Sequence, residues 1–198
     1  MAFTGTAGIP LPVSNGRRRV AETMTARGGW AGEGGRRLVW GGAAGLLLLP
    51  LIAMQFTRQV EWGPEDFAII GVMLAMVCGA YELAVRMNGS RAFRAAVLIA
   101  AMGCFLLIWV NLAVGIIGDE DNALNLVYLG VLAVPVCGAV LAWGRARRMA
   151  WVMVAAAVAQ AGAGVIALVN GYVTLPIEAF FIALWLLSAR LFHEAGRG

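Results

Sequence analysis

The chain has 198 residues, of which 61% are hydrophobic and only 13% are charged, and its formal net charge is +4 at neutral pH. With a mean hydropathy of +0.82, it carries more apolar surface than a soluble domain of this length can bury. The composition excludes an ordinary soluble globular domain and predicts an integral membrane protein.

The residue types also exclude several cofactors. All fifteen basic residues are arginine, and the absence of lysine excludes a Schiff base to retinal or pyridoxal phosphate. The single histidine, His193, follows the last apolar run, so a bis-histidine haem site is excluded as well. Cys78, Cys104 and Cys137 lie inside apolar runs without CxxC spacing, which predicts buried thiols, with a soft-metal site as the alternative. We therefore expect no cofactor and no metal.

The first element in chain order is a polar, arginine-rich tail at residues 1–36. It shows no apolar periodicity, and we expect it to be disordered and cytoplasmic. Its arginines are expected to set the orientation of the chain, and anionic lipid headgroups are candidate partners. Arg36 and Arg37 also fit a twin-arginine signal peptide, but the apolar run that follows is long for one and lacks a good cleavage site.

Six apolar runs follow the tail, and each is long enough, at about 1.5 Å per residue, to cross a hydrocarbon core of about 30 Å. The runs occupy residues 38–56, 65–86, 94–117, 124–143, 149–169 and 175–192. Because the loops between them are short, the sequence predicts an all-α bundle of six transmembrane helices over residues 37–193, arranged as three antiparallel hairpins. A short cytoplasmic tail is expected at residues 194–198.

Arginines and acids collect in alternate loops. Fourteen of the fifteen arginines fall on the side of the two termini, and only Arg58 falls on the other. By the positive-inside rule, both termini are predicted to be cytoplasmic in a plasma membrane, the inner membrane of a bacterium. The outer side then carries a candidate acidic cluster made of Glu61, Glu65, Asp66, Asp119, Glu120, Asp121 and Glu178. We interpret these acids mainly as helix-start charges, with a hard-cation site as the alternative.

Four polar side chains are candidates for a site inside the membrane: Glu82, Arg86, Asn111 and Gln160. Glu82 and Arg86 are one helical turn apart and are expected to pair. Glu82, Asn111 and Gln160 are predicted to lie at different depths in the membrane. We favour the interpretation that each makes a separate polar contact between helices, and the alternative is that together they form a cation or proton path.

On three spans these polar residues share a face with small residues at three- and four-residue steps, which favours close helix approach. The faces comprise Gly71, Ala75, Cys78 and Gly79 on the second span, Ala96, Ala100, Gly103, Cys104, Gly115 and Gly118 on the third, and Met153, Ala156, Gly164 and Ala167 on the fifth.

The most distinctive segment is 109–122, WVNLAVGIIGDEDN, which continues to Asn125. Asp121 or Asn122 is expected to cap the fourth span. Together with LIAMQF at 51–56 and YEL at 81–83, this segment resembles a group of small multi-pass bacterial inner-membrane proteins with no assigned activity. The resemblance covers the first five spans, and it supports the topology without implying an activity.

No HExxH motif, nucleophile with a paired base, or phosphate-binding loop occurs in the sequence, so we predict no enzyme and no catalytic residue. We expect a structural or accessory subunit of a membrane complex, with the lipid bilayer and other membrane subunits as partners and no nucleic acid. The alternative is a small cation or proton transporter or channel that uses Glu82, Gln160 and Asn111. Tryptophans near span ends suit interfacial anchoring. These are Trp40, Trp62, Trp143, Trp151 and Trp185.

Overall fold

The computed structural model describes residues 15–56, 62–87 and 90–197, with side chains from residue 33 onward. Within these ranges the chain is all helical, without a strand, and six helices are long and apolar enough to cross a membrane. The predicted all-α fold with six long apolar helices is thereby confirmed, and it supports a multi-pass membrane protein, while the three-hairpin arrangement and the placement of the termini stay predictions. The helices are α1 (Asn15–Phe56), α2 (Pro64–Met87), α3 (Arg91–Ala113), α4 (Val127–Ala142, preceded by a 3-10 turn at Ala123–Leu126), α5 (Ala146–Val169) and α6 (Leu175–Ala195).

The contacts within the chain divide it into two compact units, Met1–Leu38 and Val39–Gly198. The first unit includes the start of α1, which begins at Asn15, inside the segment 1–36 for which composition predicts disorder. The first fourteen residues lie outside the described ranges, and so do the side chains of residues 15–32. The predicted binding of anionic lipid by this tail therefore stays a prediction.

Local signals explain where the helices begin. α2 starts at Pro64, which needs no backbone N–H donor in the first turn, and Asp66 accepts a hydrogen bond from the backbone nitrogen of Gly63 at 2.9 Å. Glu65 and Asp66 lie in this first turn, where negative charge complements the helix dipole. At the start of α3, the hydroxyl of Ser90 accepts a hydrogen bond from the nitrogen of Phe93.

In the second unit, α5 and α6 are the most extensively packed pair. α6 also packs on α3, α4 packs on α5, and α2 packs on α3, whereas α3 and α4 touch at only a few positions although they are neighbours in the chain. α1 is the least covered span, because only 6% of its apolar window is buried. Two of its residues, Ala43 and Leu47, pack against a small core that contains Met73 and Phe105.

Glycines lie at the closest contacts between helices. This is expected in lipid, where van der Waals packing, and not the hydrophobic effect, drives helices to associate. A Cβ atom on Gly103 of α3 would lie 3.0 Å from the indole ring of Trp185 on α6, and one on Gly138 of α4 would collide with Val152 on α5. The small face predicted on the fifth span is accordingly buried, and so are Ala96, Ala100 and Gly103 of the face predicted on the third span. On α2, by contrast, much of the small face is exposed.

We predict that Gly103→Val destabilises the bundle by about 1–3 kcal/mol, because the added methyl groups overpack the contact with Trp185. Gly162→Val is the matched control, since a Cβ at Gly162 meets nothing within 4 Å while the change in helix propensity is the same. Reversible unfolding in mixed detergent micelles measures both. Equal losses in the two variants would contradict the assigned α3–α6 contact.

Candidate functional site: a buried polar network between three helices

Glu178 is the centre of a group of four buried side chains that are hydrogen-bonded to one another. The loop pattern places this residue in the outer acidic cluster, but it is only 3% exposed and its side chain turns into the bundle. Its two carboxyl oxygens accept hydrogen bonds from the hydroxyl of Tyr128 at 2.5 Å and from the side-chain nitrogen of Gln160 at 2.7 Å. Glu178 still lies in the first turn of α6, so it differs from the other outer acids in the direction of its side chain.

Gln160 extends the network in the other direction. Its side chain is fully buried, and its oxygen accepts a hydrogen bond from the indole nitrogen of Trp185 at 3.3 Å. Trp185 is therefore buried in the core, in contrast to its predicted role as an interfacial anchor. The chain of contacts from Tyr128 through Glu178 and Gln160 to Trp185 joins α4, α5 and α6. Each side chain thus meets a polar partner in a place where water does not compete.

Small residues make room for this network. A Cβ atom on Gly164 of α5 would lie 2.9 Å from the Cγ of Glu178, so the absence of a side chain lets the carboxyl group lie against α5. The buried Thr174 lies near the Tyr128 hydroxyl. Further along α6, the hydroxyl of Ser188 donates to the backbone oxygen of Ala96 on α3 at 2.9 Å.

A second polar group organises the loop between α3 and α4. The side-chain oxygen of the buried Asn125 accepts hydrogen bonds from the nitrogens of Ile116 and Ile117, at 3.1 and 2.9 Å. Its side-chain nitrogen donates to the backbone oxygens of Ile117 and Asp119, the latter at 2.6 Å. Asn125 therefore satisfies backbone groups that no helix satisfies, and it holds the loop closed against the bundle.

The loop begins earlier than the apolar pattern predicts. The third span was expected to run to residue 117, yet α3 ends at Ala113. Gly115 and Gly118, expected on a helical face, are loop residues with φ of 73° and 75°. At Gly115 a Cβ would collide with the backbone of Asp119, so this turn requires glycine. Hydrophobicity alone could not locate the end, because Ile116 and Ile117 are buried as loop residues.

Asn111 and Asn122 belong to the same loop region. The side-chain nitrogen of Asn111 lies 3.5 Å from the backbone oxygen of Asn125, while its side-chain oxygen is buried without a hydrogen-bond partner. Asn122 caps the 3-10 turn that leads into α4, by accepting from the nitrogen of Leu124 at 3.0 Å, and its own nitrogen donates to the hydroxyl of Tyr172. The predicted cap at the start of the fourth span is confirmed, and Asn122 provides it.

The remaining candidate residues lie apart from this network. Glu82 and Arg86 form an ion pair of 3.3 Å within α2. Glu65, Asp119, Glu120 and Asp121 are exposed, Asp66 is partly buried, and Glu61 lies outside the described residues. Among the residues that the structure describes, no three acids, histidines or cysteines are grouped so that they could hold a metal ion.

The small-residue faces predicted on the third and fifth spans border a common space, whereas the α2 residues that line it, such as Met73 and Val77, are not those of the face predicted on the second span. It is a groove of about 270 Å³ to which α4 also contributes. Its lining is apolar, with Met73, Ala100, Cys104 and Met153 among the contributing residues. Glu82, Asn111 and Gln160 do not line it. The three polar side chains are thus distributed over separate contacts.

Comparison with known proteins does not identify the network, since no family model, curated protein or solved structure matches the chain.

We predict that Glu178→Ala lowers the free energy of unfolding by about 1–3 kcal/mol, because it leaves the Tyr128 hydroxyl and the Gln160 amide without their acceptor. Glu178→Gln keeps one carbonyl oxygen and should cost less. A double-mutant cycle with Tyr128→Phe, followed by unfolding in mixed micelles, should give a coupling energy of about 0.6–1.7 kcal/mol.

The control for this cycle is Glu120→Ala, which removes an exposed carboxylate from the outer loop. If Tyr128→Phe has the same effect with and without the Glu178 carboxyl group, the hydrogen bond contributes nothing and the assigned network fails.

Proposed function

We propose that this multi-pass protein is a structural or accessory subunit of a complex in the plasma membrane, and that it associates with its partner through helix surfaces. The observation that carries the proposal is the contrast between its interior and its surface. The polar side chains of the bundle interior bind mainly to one another, whereas one face of α2 and most of the α1 span Glu33–Phe56 are exposed on the described structure.

The exposed face of α2 has the composition of a helix-docking surface. Gly71, Ala75 and Gly79 follow one another at four-residue steps, so they lie along one side of the helix. Ala75 and Gly79 are exposed, and a Cβ on Gly71 or Gly79 would meet nothing within 4 Å. Because lipid tails are as apolar as the helices, association in a membrane depends on such close approach of backbones.

The alternative function, a cation or proton path, has weaker support. A path requires polar side chains that share a hydrated space. Here Glu82 pairs with Arg86, Gln160 with Glu178, and Asn111 with the backbone of Asn125. The groove where α2, α3 and α5 meet is apolar. These local partners favour separate structural contacts.

We also infer that both termini are cytoplasmic, that the acidic loops face the exterior or periplasm, and that the chain crosses the membrane as three antiparallel hairpins. The support is the distribution of charge, since fourteen of fifteen arginines fall on the side of the termini.

Cysteine labelling tests the orientation. In a chain whose three native cysteines are replaced by alanine, Asp121→Cys should react with a membrane-impermeant maleimide in intact cells, and Arg197→Cys only after permeabilisation. Both positions are exposed, so access to the reagent depends on the side of the membrane. The reverse labelling pattern would overturn the inferred orientation.

For the subunit role, we predict that the wild-type protein, extracted gently from its own membrane, retains a stoichiometric partner and that Gly79→Leu loses it. A Cβ at Gly79 meets nothing within 4 Å and the position is exposed, so we expect the stability of the isolated protein to be unchanged. Loss of the partner would then report on the surface of α2.

Gly162→Leu provides the control, because this position on α5 is equally open but lies among exposed valines, such as Val158 and Val165. Isolation of the wild-type protein without any stoichiometric partner would refute the subunit role. Retention of the partner by Gly79→Leu would remove the α2 face from the interface.

A further inference from the structure

The junction between the start of α5 and the end of α6 contains two adjoining cavities that share Arg147 and His193. The first, of about 250 Å³, is lined by these two residues with Gly196 and Arg197. The second, of about 420 Å³, continues between the two helices and has a mainly apolar lining. The two together form one groove with a basic end and an apolar end, which we call the amphipathic groove.

The basic end carries positive charge for which the described residues supply no carboxylate. Arg190 at its edge is paired with Glu194 at 3.1 Å, so that pair contributes no net charge. Arg147 and Arg197 have no carboxylate partner in the part of the chain that the structure describes. Gly196 brings the end of α6 close to the start of α5, because a Cβ there would lie 3.5 Å from the backbone nitrogen of Arg147.

The apolar end follows the helices towards the membrane interior. On α5 the lining proceeds from Arg147 through Trp151 to Val154, and on α6 from His193 through Ala189 to Leu186. Each stretch covers eight residues, or about 10 Å of helix axis between its ends. Trp151 is exposed between the charged and apolar portions, at the level where tryptophan is commonly found at the membrane interface.

We propose that the amphipathic groove binds an anionic phospholipid, with its phosphate at Arg147, His193 and Arg197 and one acyl chain along Trp151, Val154 and Leu186. Charge complementarity selects an anion, because the two unpaired arginines attract a phosphate near the membrane surface. The adjoining apolar wall selects a lipid over a free phosphate, since a soluble anion would leave that wall uncovered. This inference is independent of the proposed subunit role.

Native mass spectrometry of the full-length protein tests the proposal directly. The protein is released from nanodiscs of phosphatidylcholine that contain a minor fraction of phosphatidylglycerol, and the retained lipids are counted. We expect wild type to retain one phosphatidylglycerol in preference to phosphatidylcholine. Arg147→Gln should weaken this binding about fivefold, as expected for one arginine at the membrane surface.

Arg148→Gln is the matched control, because it removes the same charge one residue away but does not line either cavity. Trp151→Ala, which alters only the apolar end, should also reduce phosphatidylglycerol retention. All three side chains are exposed, so the variants should unfold at the temperature of the wild type.

Three results would overturn the proposal. Equal weakening by Arg147→Gln and Arg148→Gln would indicate attraction by the whole basic surface, without a defined groove. Equal retention of phosphatidylcholine would show that the net negative charge of the headgroup has no role in binding. Stabilisation of the detergent-solubilised protein by inorganic phosphate to the same extent as by phosphatidylglycerol, with Trp151→Ala unaffected, would identify a soluble anion as the ligand.

Discussion

A carboxyl group inside a membrane bundle has no water to hydrate it, so its hydrogen-bond partners must come from the protein. Glu178 meets this requirement through Tyr128 on α4 and Gln160 on α5, and Gln160 in turn accepts from Trp185. The requirement restricts the packing of three helices at once, because a shift of any one would leave a buried polar group unpaired. Gly164 leaves room for the Glu178 side chain, and the hydrogen bond from Ser188 to the backbone of Ala96 joins α6 to α3.

The loop between α3 and α4 must also satisfy its buried polar groups by hydrogen bonds within the protein, but there the groups belong to the backbone. Asn125 supplies both donor and acceptor to the segment between α3 and α4, and this segment is thereby folded onto the bundle although it is not helical. Because the interior network and most polar groups of the loop are occupied by internal hydrogen bonds, the proposed partners are assigned to the surface. Two surfaces have suitable chemistry: the small-residue face of α2 for another helix, and the amphipathic groove at the α5–α6 junction for an anionic lipid.

Much of the architecture could be predicted from the sequence, because the free energy of placing a helix in lipid is a sum over its own residues. Six apolar runs, the proline and acids at the start of α2, and the cap at Asn122 are local signals of this kind. The end of α3 could not be predicted in this way. Ile116 and Ile117 continue the apolar run, and only the distant side chain of Asn125 allows their backbone to leave the helix.

The sequence by itself thus determined the helices, the membrane environment and which residues are polar within the spans. Only the tertiary structure decided which of those polar residues meet. Tyr128 and Glu178 are fifty residues apart in the sequence. Their contact depends on how α4, α5 and α6 pack, which no local sequence pattern can predict. For the same reason Glu178, an ordinary helix-start acid by its position in the chain, became the centre of the network, while the exposed Asp119, Glu120 and Asp121 remained surface charges. A side chain's direction around its helix axis is decided by its neighbours in space.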